Sequence, residues 1–247
     1  MNKGATSFIQ NRRRVVAITD DRINHIVEYV VHCYQIILND APQYSKTNVK
    51  AKTTLSFEDY LKMELVDSYL IPNKHLILSN CSDLANITFH YENQKRYIDV
   101  SDGKEKPDKI DIYISKLGLQ EVWNEQDEHV YFVIECKRIG SLADSANYVD
   151  DTKKFANRIY KTLRLPFEGQ LAFIENKKLS VVSVSSEIDN NLKKMSSELK
   201  TEQFLTPIAI TASFHGGYTS IHKRNHSKNA SFKVYHLLFN YSSLVTD

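Results

Sequence analysis

The chain has 247 residues, enough for one large domain or two small ones, with room for a substantial core. Its 42% hydrophobic and 25% charged residues are the balance of a soluble globular protein, which excludes fibrous and disordered classes. The formal net charge of +2 permits nucleic-acid binding without arguing for it.

Cys33, Cys81 and Cys136 are far apart, odd in number and lack CxxC spacing, so a disulfide framework or structural zinc site is not expected and a reducing cytoplasm fits best. The N-terminus carries no apolar run of signal-peptide length, and no stretch reads as a transmembrane helix. With seven glycines and no Gly-rich phosphate loop, P-loop and dinucleotide-binding classes are disfavoured.

In chain order, Asp20 and Asp21 read as caps of a first helix over 20–39, with Ile23, Ile26, Val27, Val30, Val31, Tyr34, Ile37 and Leu38 at helical spacing. Residues 40–54 read as a loop. A second helix follows at 56–71, capped by Ser56 and closed by Pro72. The period then changes. Residues 86–92, 95–100 and 110–116 are rich in β-branched and aromatic side chains and read as strands, as does the apolar run 130–137. A helix is predicted at 147–163, strands at 170–174 and 179–184, and a helix at 187–204. Two last strands, 207–214 and 232–241, flank a basic loop. From residue 56 the order is α-β-β-β-α-β, which predicts a mixed α/β (α+β) fold with helices on both sides of a sheet.

Charges fall at telling places on this frame. Asp111 lies inside an apolar strand between Ile110 and Ile112. Glu135 and Lys137 end the run "VYFVI", and at i and i+2 they share one face of their strand. If the two strands are neighbours, two carboxylates and an ammonium converge. Phosphodiester hydrolysis needs such a group: carboxylates hold Mg²⁺, and a lysine serves the water and the phosphate. The plain alternative is an ion pair at an exposed strand end. Cys136 faces the other side of the strand and reads as core, and His236 as a structural histidine.

Asp111 with "IECK" at 134–137 resembles the signature of the PD-(D/E)xK nucleases, the superfamily of restriction endonucleases and their relatives, over residues 56–175. The resemblance implies a restriction-endonuclease-like core with a central mixed sheet flanked by helices, and Mg²⁺-dependent cleavage of nucleic acid, DNA in the first instance, with Mn²⁺ as the alternative ion. Asp111 takes the place of the first metal-binding acid, Glu135 the second, and Lys137 the lysine. Asp108, in Pro107-Asp108, is the competing first acid. Many members add an acid from the preceding helix. Glu58, mid-stripe, is favoured over Glu64 as that metal ligand. The whole chain then forms a single nuclease domain, with an N-terminal helical extension at 1–55 and a C-terminal α/β extension at 176–247. Family analogy adds a role in defence against foreign DNA, with homodimerisation or a partner protein of a defence system.

The basic loop holds His222, Lys223 and Arg224, followed by His226 and Lys228, and is the candidate nucleic-acid contact. Arg12, Arg13 and Arg14 form a second cluster. Lys153, Lys154, Arg158 and Lys161 are expected on the outer face of the 147–163 helix. The rival to a nuclease is a non-catalytic nucleic-acid-binding or scaffold subunit that keeps the fold.

Overall fold

The computed structural model describes residues 3–78, 81–126, 129–160, 165–226 and 230–247. Helix α1 runs over Lys3–Asp40, so Asp20 and Asp21 lie inside it rather than at its start. Nothing between Ala5 and Asp40 breaks a helix, as neither glycine nor proline intervenes. The helix ends at Ala41, in the left-handed region at φ 46°, followed by Pro42. Its apolar stripe from Ile23 to Ile37 is buried as expected, whereas Leu38 is exposed.

The expected loop at 40–54 contains strand β1 (Tyr44–Ser45), paired with the C-terminal β10 (Val245–Thr246), and helix α2 (Lys46–Lys52), capped by Ser45. Helix α3 (Phe57–Met63) is capped by Ser56 and continues as a π-helical stretch over Glu64–Leu70. Short helix α4 (His75–Leu78) and a 3₁₀ turn (Ser82–Leu84) lead into the sheet.

The remaining elements, in order, are β2 (Thr88–Asp99), β3 (Glu105–Ser115), α5 (Gln120–Trp123), β4 (Tyr131–Ile139), α6 (Asp144–Asn157) and β5 (Arg158–Tyr160). Then come β6 (Phe167–Ile174), α7 (Val181–Lys194), α8 (Ser196–Leu199), β7 (Thr201–Pro207), β8 (Gly217–Lys223) and β9 (Ser231–Asn240). The two strands expected at 86–92 and 95–100 are one strand, β2. The helix expected to run to 163 stops at Asn157; 158–160 form β5, and 161–163, with Lys161, lie outside the described residues. The strand expected at 179–184 is the start of α7, and the one at 207–214 is mostly irregular chain after β7.

Eight strands form one mixed sheet in the order β5-β2-β3-β4-β6-β9-β8-β7. The β2–β3–β4 meander is antiparallel, and β4, β6 and β9 are mutually parallel. Strands from the segment 176–247 thus complete the same sheet. One face buries Ile112, Phe132, Ile134, Cys136, Leu171 and Tyr235 against α1, α3 and the π-helical stretch. The other buries Tyr131, Val133, Ala172 and Val234 against α6 and α7. A mixed α/β sheet flanked by helices is therefore the architecture. Among the described residues no helix is long and apolar enough to cross a membrane.

Candidate active site

The β3–β4 ladder ends at Ile112 opposite Ile134. Continuing that register by one residue would set Asp111 opposite Glu135. Beyond this point β4 loses its neighbour on that side, and its edge amides need other acceptors. Asp111 Oδ2 accepts the Cys136 N–H at 2.8 Å, and Glu58 Oε2 accepts the Arg138 N–H at 3.1 Å. Two carboxylates, one from β3 and one from α3, thus cap alternate amides of β4. Glu58 looks toward the sheet, while Glu64 bonds Ser68 on its own helix and stays apart from the group.

Asp111 Oδ1 accepts from the Lys62 ammonium at 2.7 Å, which also meets Asp59 Oδ1 at 2.6 Å. Lys62 is 2% exposed. Burial opposes its charge, but the Asp111 and Asp59 carboxylates outweigh burial and hold it protonated.

Glu135 and Lys137 share the α6 face of β4, as their alternation requires. Lys137 Nζ lies 3.2 Å from Asp151 Oδ2 on α6 and 3.9 Å from Glu58 Oε1. Burial lowers its tendency to stay charged, yet Asp151, Glu58 and Asp111 together raise its pKa. Glu135 is different. No hydrogen bond to its carboxylate is found among the described residues, and its ion-pair contact is Arg158 Nη1 at 3.9 Å. Burial first, then the negative charges of Asp111 and Asp151, push its pKa well above the usual carboxylate range, against the pull of Arg158. Glu58 is likewise raised, chiefly by burial, with Lys137 opposing.

The competing acid Asp108 is tied up. Both its oxygens meet Arg158 Nη1, at 2.6 and 2.7 Å, and it accepts the Tyr160 hydroxyl. Arg158 is half-buried here, on β5 rather than on an outer helix face. Lys153 pairs with Glu198, and Lys154 pairs with Asp151. Lys62 and Asp151 were not singled out from the sequence, although a signal existed. Lys62 is four residues from Glu58 on one helix face. Asp151 falls between Tyr148 and Phe155 in the buried stripe of α6.

The expected loop-tip placement of the basic residues needs correcting. His222 and Lys223 lie on strand β8, and Arg224 directly follows it, instead of at a loop tip. His222 is wholly buried, with Nδ1 against Thr201 Oγ1 at 3.1 Å and Nε2 against Ser220 Oγ at 2.7 Å. Arg224 is buried too, and donates to Phe155 O, Leu165 O and Glu168 Oε1. Lys223 is half-buried and pairs with Glu202. His226 is exposed, and Lys228 lies outside the described residues. Arg12, Arg13 and Arg14 are exposed on α1.

Among the described residues, no three His, Cys, Asp or Glu side chains are arranged to hold a metal ion. The donors themselves, carboxylates of Asp111, Glu135, Asp151 and Glu58, have the hard oxygen chemistry that Mg²⁺ takes. They are turned toward internal partners: Lys62 stands as the cation at Asp111, Lys137 at Asp151, and backbone amides at Asp111 and Glu58. The oxygen chemistry suits such an ion, and the cation that contacts Asp111 here is the Lys62 ammonium. The chain matches no family model, no curated protein and no solved structure.

Proposed function

We propose that this protein is a metal-dependent nuclease that hydrolyses phosphodiester bonds, with DNA as its substrate, on a restriction-endonuclease-like core. The observation that carries the reading is Glu135. A largely buried carboxylate beside Asp111 and Asp151, with Arg158 3.9 Å away as its charge partner, is a costly arrangement that an added cation relieves. Setting aside the short α4, α5 and β5 and the helical turns before β2, the order α3-β2-β3-β4-α6-β6, with β3 antiparallel and β6 parallel to β4, supports the core assignment.

A bound Mg²⁺ or Mn²⁺ would supply an acidified water and charge stabilisation at the phosphate. Asp111 and Glu135 would hold it, with Glu58 or Asp151 as the third donor. Lys137, held charged between Asp151 and Glu58, is placed to position the attacking water and to neutralise a phosphate oxygen. The Cys136 and Arg138 amides fix the orientation of the Asp111 and Glu58 carboxylates.

One observation favours a second reading, a non-catalytic nucleic-acid-binding or scaffold subunit. Asp111 and Glu58 both have structural employment as caps of β4, and Asp111 has an ammonium partner. Incubation with supercoiled plasmid and with single-stranded DNA, in Mg²⁺, Mn²⁺ or EDTA, separates the two. We expect cleavage in either metal, none in EDTA, and none by a folded Glu135→Gln variant. Metal-independent cleavage, or a fully active variant, refutes the nuclease assignment.

A further inference from the structure

We propose that Lys62 is a built-in counter-ion that must leave Asp111 before a divalent metal can bind there, so that Lys62 and Asp59 together set the metal affinity of the site. This rests on the metal-site reading above. Lys62 Nζ contacts Asp111 Oδ1 at 2.7 Å, on the oxygen that the Cys136 amide leaves free. An ammonium and a divalent ion cannot both sit in direct contact with one carboxylate oxygen without strong repulsion.

The ammonium has a second place to go. Asp59 Oδ1 already bonds it at 2.6 Å, and the Asp59 side chain is 22% exposed against 10% for Asp111. Asp59 therefore lies on the solvent side of the pair. It is anchored by the Ser56 hydroxyl and lies 3.8 Å from Lys109. Moving Lys62 outward leaves it paired, which avoids the cost of an unpaired buried charge. Asp111 keeps its orientation throughout, because the Cys136 amide holds its other oxygen.

The test is Mn²⁺ binding, measured by titration calorimetry and by Mn²⁺ electron paramagnetic resonance on the full chain, without nucleic acid. Lys62→Met should bind Mn²⁺ more tightly than the wild type, on the order of tenfold or more. Asp59→Asn, which removes the alternative partner and leaves Lys62 to Asp111 alone, should bind roughly severalfold more weakly. Adding Asp111→Asn to Lys62→Met should abolish the gain. If Lys62→Met does not fold without metal, Asp59→Asn decides the matter. Equal Mn²⁺ affinity in the wild type and Asp59→Asn, or in the wild type and Lys62→Met, overturns the counter-ion role while leaving the metal site standing. Absence of Mn²⁺ binding in every protein overturns both.

Discussion

Glu135 is a buried carboxylate set beside two others, Asp111 and Asp151. Its raised pKa means that the folded protein holds a proton there more tightly than the unfolded chain does. That contribution is complete below the ordinary pKa of 4.5 and is lost as pH rises through the folded value. At neutral pH and without metal, the ionised group is therefore a burden. We expect Glu135→Gln to raise stability in EDTA at pH 7.5, with the gain shrinking toward pH 5. Urea unfolding at the two pH values measures it. A variant destabilised by several kcal/mol would instead make Glu135 a structural partner of Arg158. Arg224 is the opposite case. Its guanidinium serves two carbonyls and Glu168 and stacks on Phe232 at 4.7 Å. A lysine cannot reproduce that fork, so Arg224→Lys should cost about 3–5 kcal/mol. Lys223→Ala, beside it, should cost less than about 1 kcal/mol, because its pair with Glu202 is surface-exposed.

At the scale of elements, helix α7 carries a testable start signal. Ser180 accepts the Ser183 N–H, and Ser183 Oγ accepts the Ser180 N–H, both at 3.0 Å, closing a capping box. Ser180→Ala should cost about 1 kcal/mol in thermal or urea unfolding, whereas Val182→Ala, at a position 70% exposed, should be neutral or slightly stabilising. The same segment explains why the sequence misled. "LSVVSV" is β-branched and reads as a strand, yet Val184, Ile188 and Leu192 recur every four residues and form the buried stripe of a helix. Strand β8 hid for another reason. Its inward positions are Ser220 and His222, polar groups buried because they bond one another, so no apolar alternation marks them. The candidate site was legible where acids interrupt apolar patterns, as at Asp111, Glu135 and Glu58. At Lys62 the spacing from Glu58 marked the helix face but not the burial, which depends on a contact 49 residues away in the chain.

For the molecule as a whole, the α6 side of the sheet carries a polar seam away from the candidate site. Glu135 is in register with Gln170, and Gln170 with His236. Gln170 is satisfied by Thr152 and by the carbonyl of Tyr148. From His236 a chain of hydrogen bonds continues. Tyr148 Oη meets His236 Nδ1 at 3.1 Å, and Ser220 Oγ bridges His236 Nε2 at 2.8 Å to His222 Nε2 at 2.7 Å. Thr201 Oγ1 then meets His222 Nδ1. Each link needs one donor and one acceptor. Running from Tyr148 to Thr201, or in reverse, the chain closes with both imidazoles neutral. A doubly protonated ring would aim a second N–H at a neighbour already donating. Burial, the leading cause for both, pushes His222 down to about 4 and His236 to about 3 from the ordinary 6.5. Between these values the unfolded chain binds protons that the folded chain refuses. Their contribution to stability is thus whole above pH 6.5 and falls as the solution is acidified toward pH 4, by about 1.4 kcal/mol per pH unit for each histidine. Glu135 and Glu58, both raised, act in the other direction, and His226, lowered, acts with the two buried rings, so the change of slope on removing each buried histidine is the measure. We expect urea unfolding between pH 7.5 and 4.5 to show a steep loss of stability below pH 6.5. His222→Gln and His236→Gln should each lower the slope by about one proton, whatever they do to stability at pH 7.5. The slope is the deciding quantity, because a cavity or a lost hydrogen bond shifts stability equally at every pH. Variants with the slope of the wild type would show that the two rings titrate alike in the folded and unfolded chain, and that the neutral chain through Ser220 does not govern acid stability.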